Sequence, residues 1–191
     1  MQDLSLHILD IAENGINADA DLVRITVEED IRADRLAITI EDNGRGMEPE
    51  FLLRVLDPFV TTSANRNGGL GLSLLQESAK KAEGDIIIDS VPGMGTKVLA
   101  FMKHGHIDRK PLGNLTETMI TLIQGNPEVD FVYVHRRNSV EYWFDTRELR
   151  SALEEIPINQ PDVVTLIHNN FREGLAELAE NATSNCCIPG E

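Results

Sequence analysis

Four stretches of this 191-residue chain carry side chains whose types and spacing could do chemistry together. In the first, Asp3, His7, Asp10, Asn14 and Asn17 recur at intervals of three or four residues. At about 100° per residue they share one face of a helix. A stripe of carboxylates and amides can face a ligand; a solvated helix surface is the alternative. The second stretch, Glu41 to Met47, reads Glu-Asp-Asn-Gly-Arg-Gly-Met. Its glycines, Gly44 and Gly46, let backbone approach a flat ligand, and the Asp42 carboxylate can accept a hydrogen bond from an exocyclic amine. An ordinary Asp-Asn-Gly turn is the competing reading. The third, Asn67-Gly68-Gly69-Leu70-Gly71-Leu72-Ser73-Leu74, is a glycine-rich loop opening a helix, where backbone N–H groups and the helix dipole favour phosphate. A tight loop packed on its helix is the alternative. It is neither a Walker loop nor a dinucleotide fingerprint, because the Lys-Ser/Thr pair and the six-residue glycine pattern are absent. The fourth is Gly93-Met94-Gly95-Thr96.

The elements that must position these groups are legible in the hydrophobic pattern. Leu4, Ile8, Ile11 and Ala12 form an apolar stripe, so residues 3–19 are expected to be a helix. Residues 22–29 and 35–41 alternate as strands, the second broken by the turn after Asp42. A short helix is expected near 48–55, a loop over 57–69, a helix over 70–82, and strands at 85–90 and 96–102. The expected fold is α/β (α+β): helices packed on a mostly antiparallel sheet. The pattern stops near 104–113, where a boundary is placed. Beyond it come a helix over 114–124, a hairpin of 131–135 and 140–144 across Arg136 to Ser139, and helices near 146–155 and 161–179. The division expected is 1–104, a small α+β module at 105–180, and a disordered tail at 181–191.

Composition limits the function. Net charge is −15, with 32 Asp/Glu against 17 Lys/Arg, a surface that repels nucleic-acid phosphates. No run of about 18 apolar residues predicts a membrane span, and the N-terminus lacks the features of a signal peptide. A cytoplasmic location is expected. Cys186 and Cys187 are adjacent in the tail, which is neither a disulfide framework nor metal-site spacing. His104 and His106 flank a glycine without an evident third ligand, and read as linker. Phe131, Tyr133, Tyr142, Trp143 and Phe144 form an aromatic cluster, read either as a small core or as a partner-docking surface.

In this order and spacing the four stretches resemble the N, G1, G2 and G3 boxes of the GHKL superfamily, which includes DNA gyrase, the heat-shock chaperone, histidine kinases and mismatch-repair MutL. Asp57-Pro58-Phe59-Val60-Thr61-Thr62-Ser63, followed by Gly69 to Ser73, is most similar to the histidine-kinase catalytic domain. The resemblance covers roughly residues 1–103. It implies a Bergerat fold, a two-layer sandwich that binds ATP with Mg²⁺ under a short lid. By the same resemblance Asn14 would ligate Mg²⁺, and Asp10 stands where hydrolysing relatives hold a general-base Glu, with Glu13 beside it as a substitute. Asp42 would read the adenine amino group, with Gly44 and Gly46 as its flexible neighbours and Thr96 in support. Phe59 matches the F box, Thr61 and Thr62 the lid, Arg66 a cation for the γ-phosphate, and Gly69, Leu70, Gly71 and Leu72 the phosphate loop.

The departures shape the functional expectation. Asp10 is one methylene shorter than the usual Glu, Asn67-Gly68 replaces the usual Gly-Thr, and Ser63 stands where a basic residue is common. No dimerisation helix or phosphoacceptor segment is expected before the N box, and none of the five histidines lies in a His-Glu/Asp-x-x-x-Pro context. The chain is therefore expected to act as a kinase in trans on a protein partner, as a possible homodimer, and to label itself little. An ATP-gated switch module, or an ATPase without phosphotransfer, is the alternative. A DNA-repair-type ATPase is set aside because the chain is short and acidic.

Overall fold

The computed structural model describes residues 3–57 and 71–184. Helix α1 (Leu4–Asn17) begins where Asp3 Oδ1 accepts from the Leu6 backbone N–H (3.2 Å), capping a donor that the first turn leaves open, and the Ser5 hydroxyl also donates to it (2.8 Å). Strands β1 (Leu22–Asp30) and β2 (Arg35–Asp42) form an antiparallel pair. The short α2 (Pro49–Leu52) is half the length its sequence suggested. Then come α3 (Gly71–Lys81), β3 (Asp85–Val91) and β4 (Gly95–Lys103), with β3 and β4 joined by a glycine turn. The rest of the chain adds α4 (Leu115–Gly125), β5 (Asp130–Arg137), β6 (Val140–Asp145), α5 (Thr146–Leu153) and α6 (Pro161–Ser184).

The six strands make one sheet in the order β3-β4-β2-β1-β5-β6. Every neighbouring pair is antiparallel except β1 and β5, which run parallel with Val23 opposite Phe131 and Ile25 opposite Tyr133. Residues 105–180, read as a separate module, thus contribute β5 and β6 to the sheet of the first half. The helix α6 also continues to Ser184, into the segment expected to be disordered.

Alternation explains the layers. Val23, Ile25 and Val27 of β1, Leu36, Ile38 and Ile40 of β2, and Val98, Ala100 and Met102 of β4 point to one face, where they are buried. They meet Leu4, Ile8 and Ile11 of α1, Leu75 and Ala79 of α3, and Met119, Leu122 and Ile123 of α4 in a continuous core. The other face carries charge pairs between strands, Lys97–Glu41 (2.8 Å) and Arg136–Glu28 (3.3 Å), as expected of an antiparallel sheet with one solvated side. Phe131 and Tyr133 are fully buried, and Phe171 packs against Tyr133, Tyr142 and Phe144 at 4.8–5.5 Å between ring centres. Most of the aromatic cluster is therefore core, while Trp143 stays 44% exposed.

Candidate functional site

The sheet ends that matter are the C-terminus of β2 and the start of β4. Asp42 is the last residue of β2 and lies opposite Thr96. Its Oδ1 accepts from the Gly44 backbone N–H at 2.9 Å, and the Thr96 backbone N–H also donates to the carboxylate. Burial raises the Asp42 carboxyl above the usual carboxylate range, and these two donors oppose the rise only partly. Thr96 Oγ1 lies 2.9 Å from Ser90 Oγ, which accepts from the Met47 N–H at 2.9 Å. Asp42, Ser90, Val91, Met94, Gly95 and Thr96 line an open recess of about 240 Å³ at this corner together with Glu41, Asp89 and Lys97, and no described residue of α1 or α3 lines it.

The glycines fit that corner for steric reasons. Gly46 (φ +66°) and Gly95 (φ +109°) are left-handed, and a Cβ at either would strike backbone of the opposing segment, at Val91 and Asp42 respectively. A Cβ on Gly44 would come within 2.6 Å of the Ala18 carbonyl. The loop is tied down by Arg45 N–H donating to Ala18 O (2.8 Å) and by Gly93 N–H donating to Arg45 O (2.7 Å). Asn43 serves the turn: its Oδ1 accepts from the N–H groups of Asp21 and Leu22.

Helix α1 crosses beside this corner. Asn14 is half-buried, and its side chain makes no hydrogen bond among the described residues. Asp10 and Glu13 lie one turn or less before it. Burial raises the Asp10 carboxyl, and burial and then the Asp10 charge raise that of Glu13. Gly71 starts α3 against Asp10 so closely that a Cβ there would fall on the carboxylate. Leu72 is half-buried and packs on the core. The structure therefore brings Asp10, Gly71 and Leu72 together beside α1, and Asp42, Gly44, Gly46 and Thr96 at the sheet end. Phe59, Thr61, Thr62, Arg66, Gly69 and Leu70 lie outside the described residues.

The polar stripe read along α1 needs correction at its first two positions. Asp3 is the N-cap, and His7 is fully buried. Burial, then the nearby Lys110 charge, lowers the His7 pKa to about 4, so the imidazole is neutral at pH 7. Two residues of the site were not picked out by motif. Gly15 sits in the last turn of α1, where a Cβ would press on Asp42 Cβ at 2.7 Å. A glycine inside a helix costs about 1 kcal/mol relative to alanine, which is the signal that could have found it. Ser90 carries no such signal.

With this geometry in place, comparison with known proteins fixes the class. Residues 2–106 match the family described as histidine kinase-, DNA gyrase B-, and HSP90-like ATPase, and the chain belongs to that family. It is 46% identical over 59 residues to the signal transduction histidine-protein kinase AtoS of Escherichia coli (strain K12), a match covering 31% of this chain and 10% of that protein. It is 35% identical over 89 residues to the sensor histidine kinase ZraS of Salmonella typhi, covering 46% of this chain and 19% of that one. The chain thus spans only a minor part of the length of these relatives. The Aquifex aeolicus MutL ATPase domain, solved with ADP, shares the fold at a TM-score of 0.50 and 18% identity, over 74% of this chain and 63% of that one. Among the described residues no helix is long and apolar enough to cross a membrane, and no cluster suits a metal through His, Cys, Asp and Glu alone.

Proposed function

We propose that the chain binds ATP with Mg²⁺ between α1, α3 and the ends of β2 and β4, and transfers the γ-phosphoryl group to a separate protein. The observation that carries this reading is Asp42: a half-buried carboxylate held at a strand end by the N–H groups of Gly44 and Thr96. The carboxylate so held would accept from the adenine amino group. The close approach of Gly71 to the Asp10 carboxylate supports the phosphate end, since it sets the start of α3 beside the helix that holds Asn14.

Asn14 would hold Mg²⁺ through its amide oxygen, a hard donor that suits this ion. The ion would neutralise phosphate charge, which with positioning makes up most of what phosphoryl transfer needs. Asp10 and Glu13, whose carboxyls burial raises, would accept the proton from an attacking hydroxyl or water. The relatives named as sensor kinases support a kinase-type role within a signalling system.

The reading is tested through Asn14. Asn14→Ala is expected to remove most of the gain in ATP affinity that Mg²⁺ provides, while affinity measured in EDTA stays as in wild type. An unchanged Mg²⁺ dependence in the variant would refute the assignment.

A further inference from the structure

Asp42, Thr96 and Ser90 form one row across three strands. The register sets Asp42 of β2 opposite Thr96 of β4, and Thr96 opposite Ser90 of β3. Ile40, Val98 and Ile88 make the preceding row on the same face and belong to the core under α1 and α3. The polar row is therefore the edge of that core, and its three residues are half-buried. We propose that Ser90 is a positioning residue: it fixes the direction of the Thr96 hydroxyl, so that Thr96 joins Asp42 as a second acceptor for the adenine 6-amino group. The inference rests on the reading of Asp42 as the adenine contact.

A proton count sets the direction. A serine hydroxyl carries a single proton and a pair of acceptor positions. Ser90 Oγ has the Gly95 carbonyl oxygen at 3.1 Å, the Met47 N–H at 2.9 Å and Thr96 Oγ1 at 2.9 Å. The Gly95 carbonyl can only accept, and the Met47 N–H can only donate. Ser90 therefore gives its proton to Gly95 and takes one from Met47. Its remaining acceptor position is filled by Thr96, whose hydroxyl must donate. With that proton committed, Thr96 Oγ1 offers lone pairs alone to a ligand. The Thr96 backbone N–H is committed as well, to the Asp42 carboxylate. Asp42 and Thr96 both line the open recess at the strand ends, which thus presents neighbouring acceptors. An amine with its pair of hydrogens matches them, whereas a ring carbonyl at the same position matches neither.

The test is calorimetry on the full chain with Mg²⁺-ATP and with Mg²⁺-purine riboside triphosphate, in which hydrogen replaces the 6-amino group. The ratio of the two affinities isolates recognition of that group, and wild type should prefer ATP. Ser90→Ala frees the Thr96 hydroxyl to turn and should reduce the preference by about threefold or more, the worth of one neutral hydrogen bond. Ser90→Thr keeps a hydroxyl at the same strand position and should hold the preference. Thr96→Val alone should reduce it as Ser90→Ala does, and adding Ser90→Ala to Thr96→Val should reduce it no further. A Ser90 that only held Met47 and Gly95 in place would weaken both nucleotides alike and leave the ratio unchanged. This proposal alone is overturned if wild type prefers ATP and either Thr96→Val or a folded Ser90→Ala keeps the full ratio, or if Ser90→Ala still lowers the ratio in the Thr96→Val background. Equal affinity of wild type for the two nucleotides would overturn the reading of Asp42 and this proposal with it.

Discussion

Replacing Glu29 by glutamine tests whether the His104–Glu29–His135 contact fastens the C-terminal strands to the rest of the sheet. Burial alone would raise the Glu29 carboxyl, but the hydrogen bonds from His135 and His104 outweigh it and bring the pKa from 4.5 down to about 2. A folded-state pKa below the unfolded one means that the charged form stabilises the fold. At 1.36 kcal/mol per pH unit, the difference is worth ~3 kcal/mol at neutral pH. Glu29→Gln removes that charge without changing the side chain's size. For a chain of this length, about 2–4 °C is lost per kcal/mol, so a fall in Tm of roughly 6–12 °C is expected at pH 7. The sign of the pH dependence follows: the contribution is complete above about pH 4.5 and lost as pH falls towards 2. Urea unfolding of wild type and variant at pH 7 and pH 3 is the assay, and the gap between them should shrink by about half or more at the lower pH. A variant within about 2 °C of wild type at pH 7, or a gap that does not narrow with acid, would refute the reasoning.

Gly71→Ala puts a methyl group where the end of the Asp10 carboxylate lies; that end can turn away, so the variant should lose less than about 1 kcal/mol of stability while the displaced carboxylate lowers ATP affinity at least tenfold. Adding Asp10→Ala removes the clash and should restore the thermal midpoint; a silent single variant would count against the close approach. A chain ending at residue 105 loses the parallel partner of β1 and the helix α4 that covers α1, and should show no cooperative unfolding transition. A soluble fragment with a sharp transition would show instead that residues 1–105 fold alone.

The first half of the fold was legible because its signals are local. Alternation in 22–29 and 35–41, the glycine turn before Thr96 and the apolar stripe of α1 each depend on neighbours in sequence, and each element formed within a residue or two of its expected bounds. The pairing of β1 with β5 was not legible, because Ile25 and Tyr133 are separated by more than a hundred residues and no turn sets their register. Nor was the burial of His7, since its place on the polar stripe gives no hint that α3 and Lys110 close over it. Asp42, Gly44, Gly46 and Thr96 were named together from motif and meet at one corner, because the strand register sets Asp42 opposite Thr96. Gly15 was passed over because its reason is steric and lies across the chain at Asp42. The Glu29–His104–His135 contact draws on three segments whose spacing follows no motif.

The central claim is that Asp42 reads adenine, and calorimetry with ATP and GTP tests it most directly. Guanine presents a carbonyl where adenine presents an amine, and so would set an acceptor against a carboxylate. The wild-type chain should therefore bind Mg²⁺-ATP well and GTP poorly, and Asp42→Asn should weaken ATP by roughly 1–3 kcal/mol, the loss of a hydrogen bond to a charged group. Equal affinity for ATP and GTP in the wild-type protein would contradict the account.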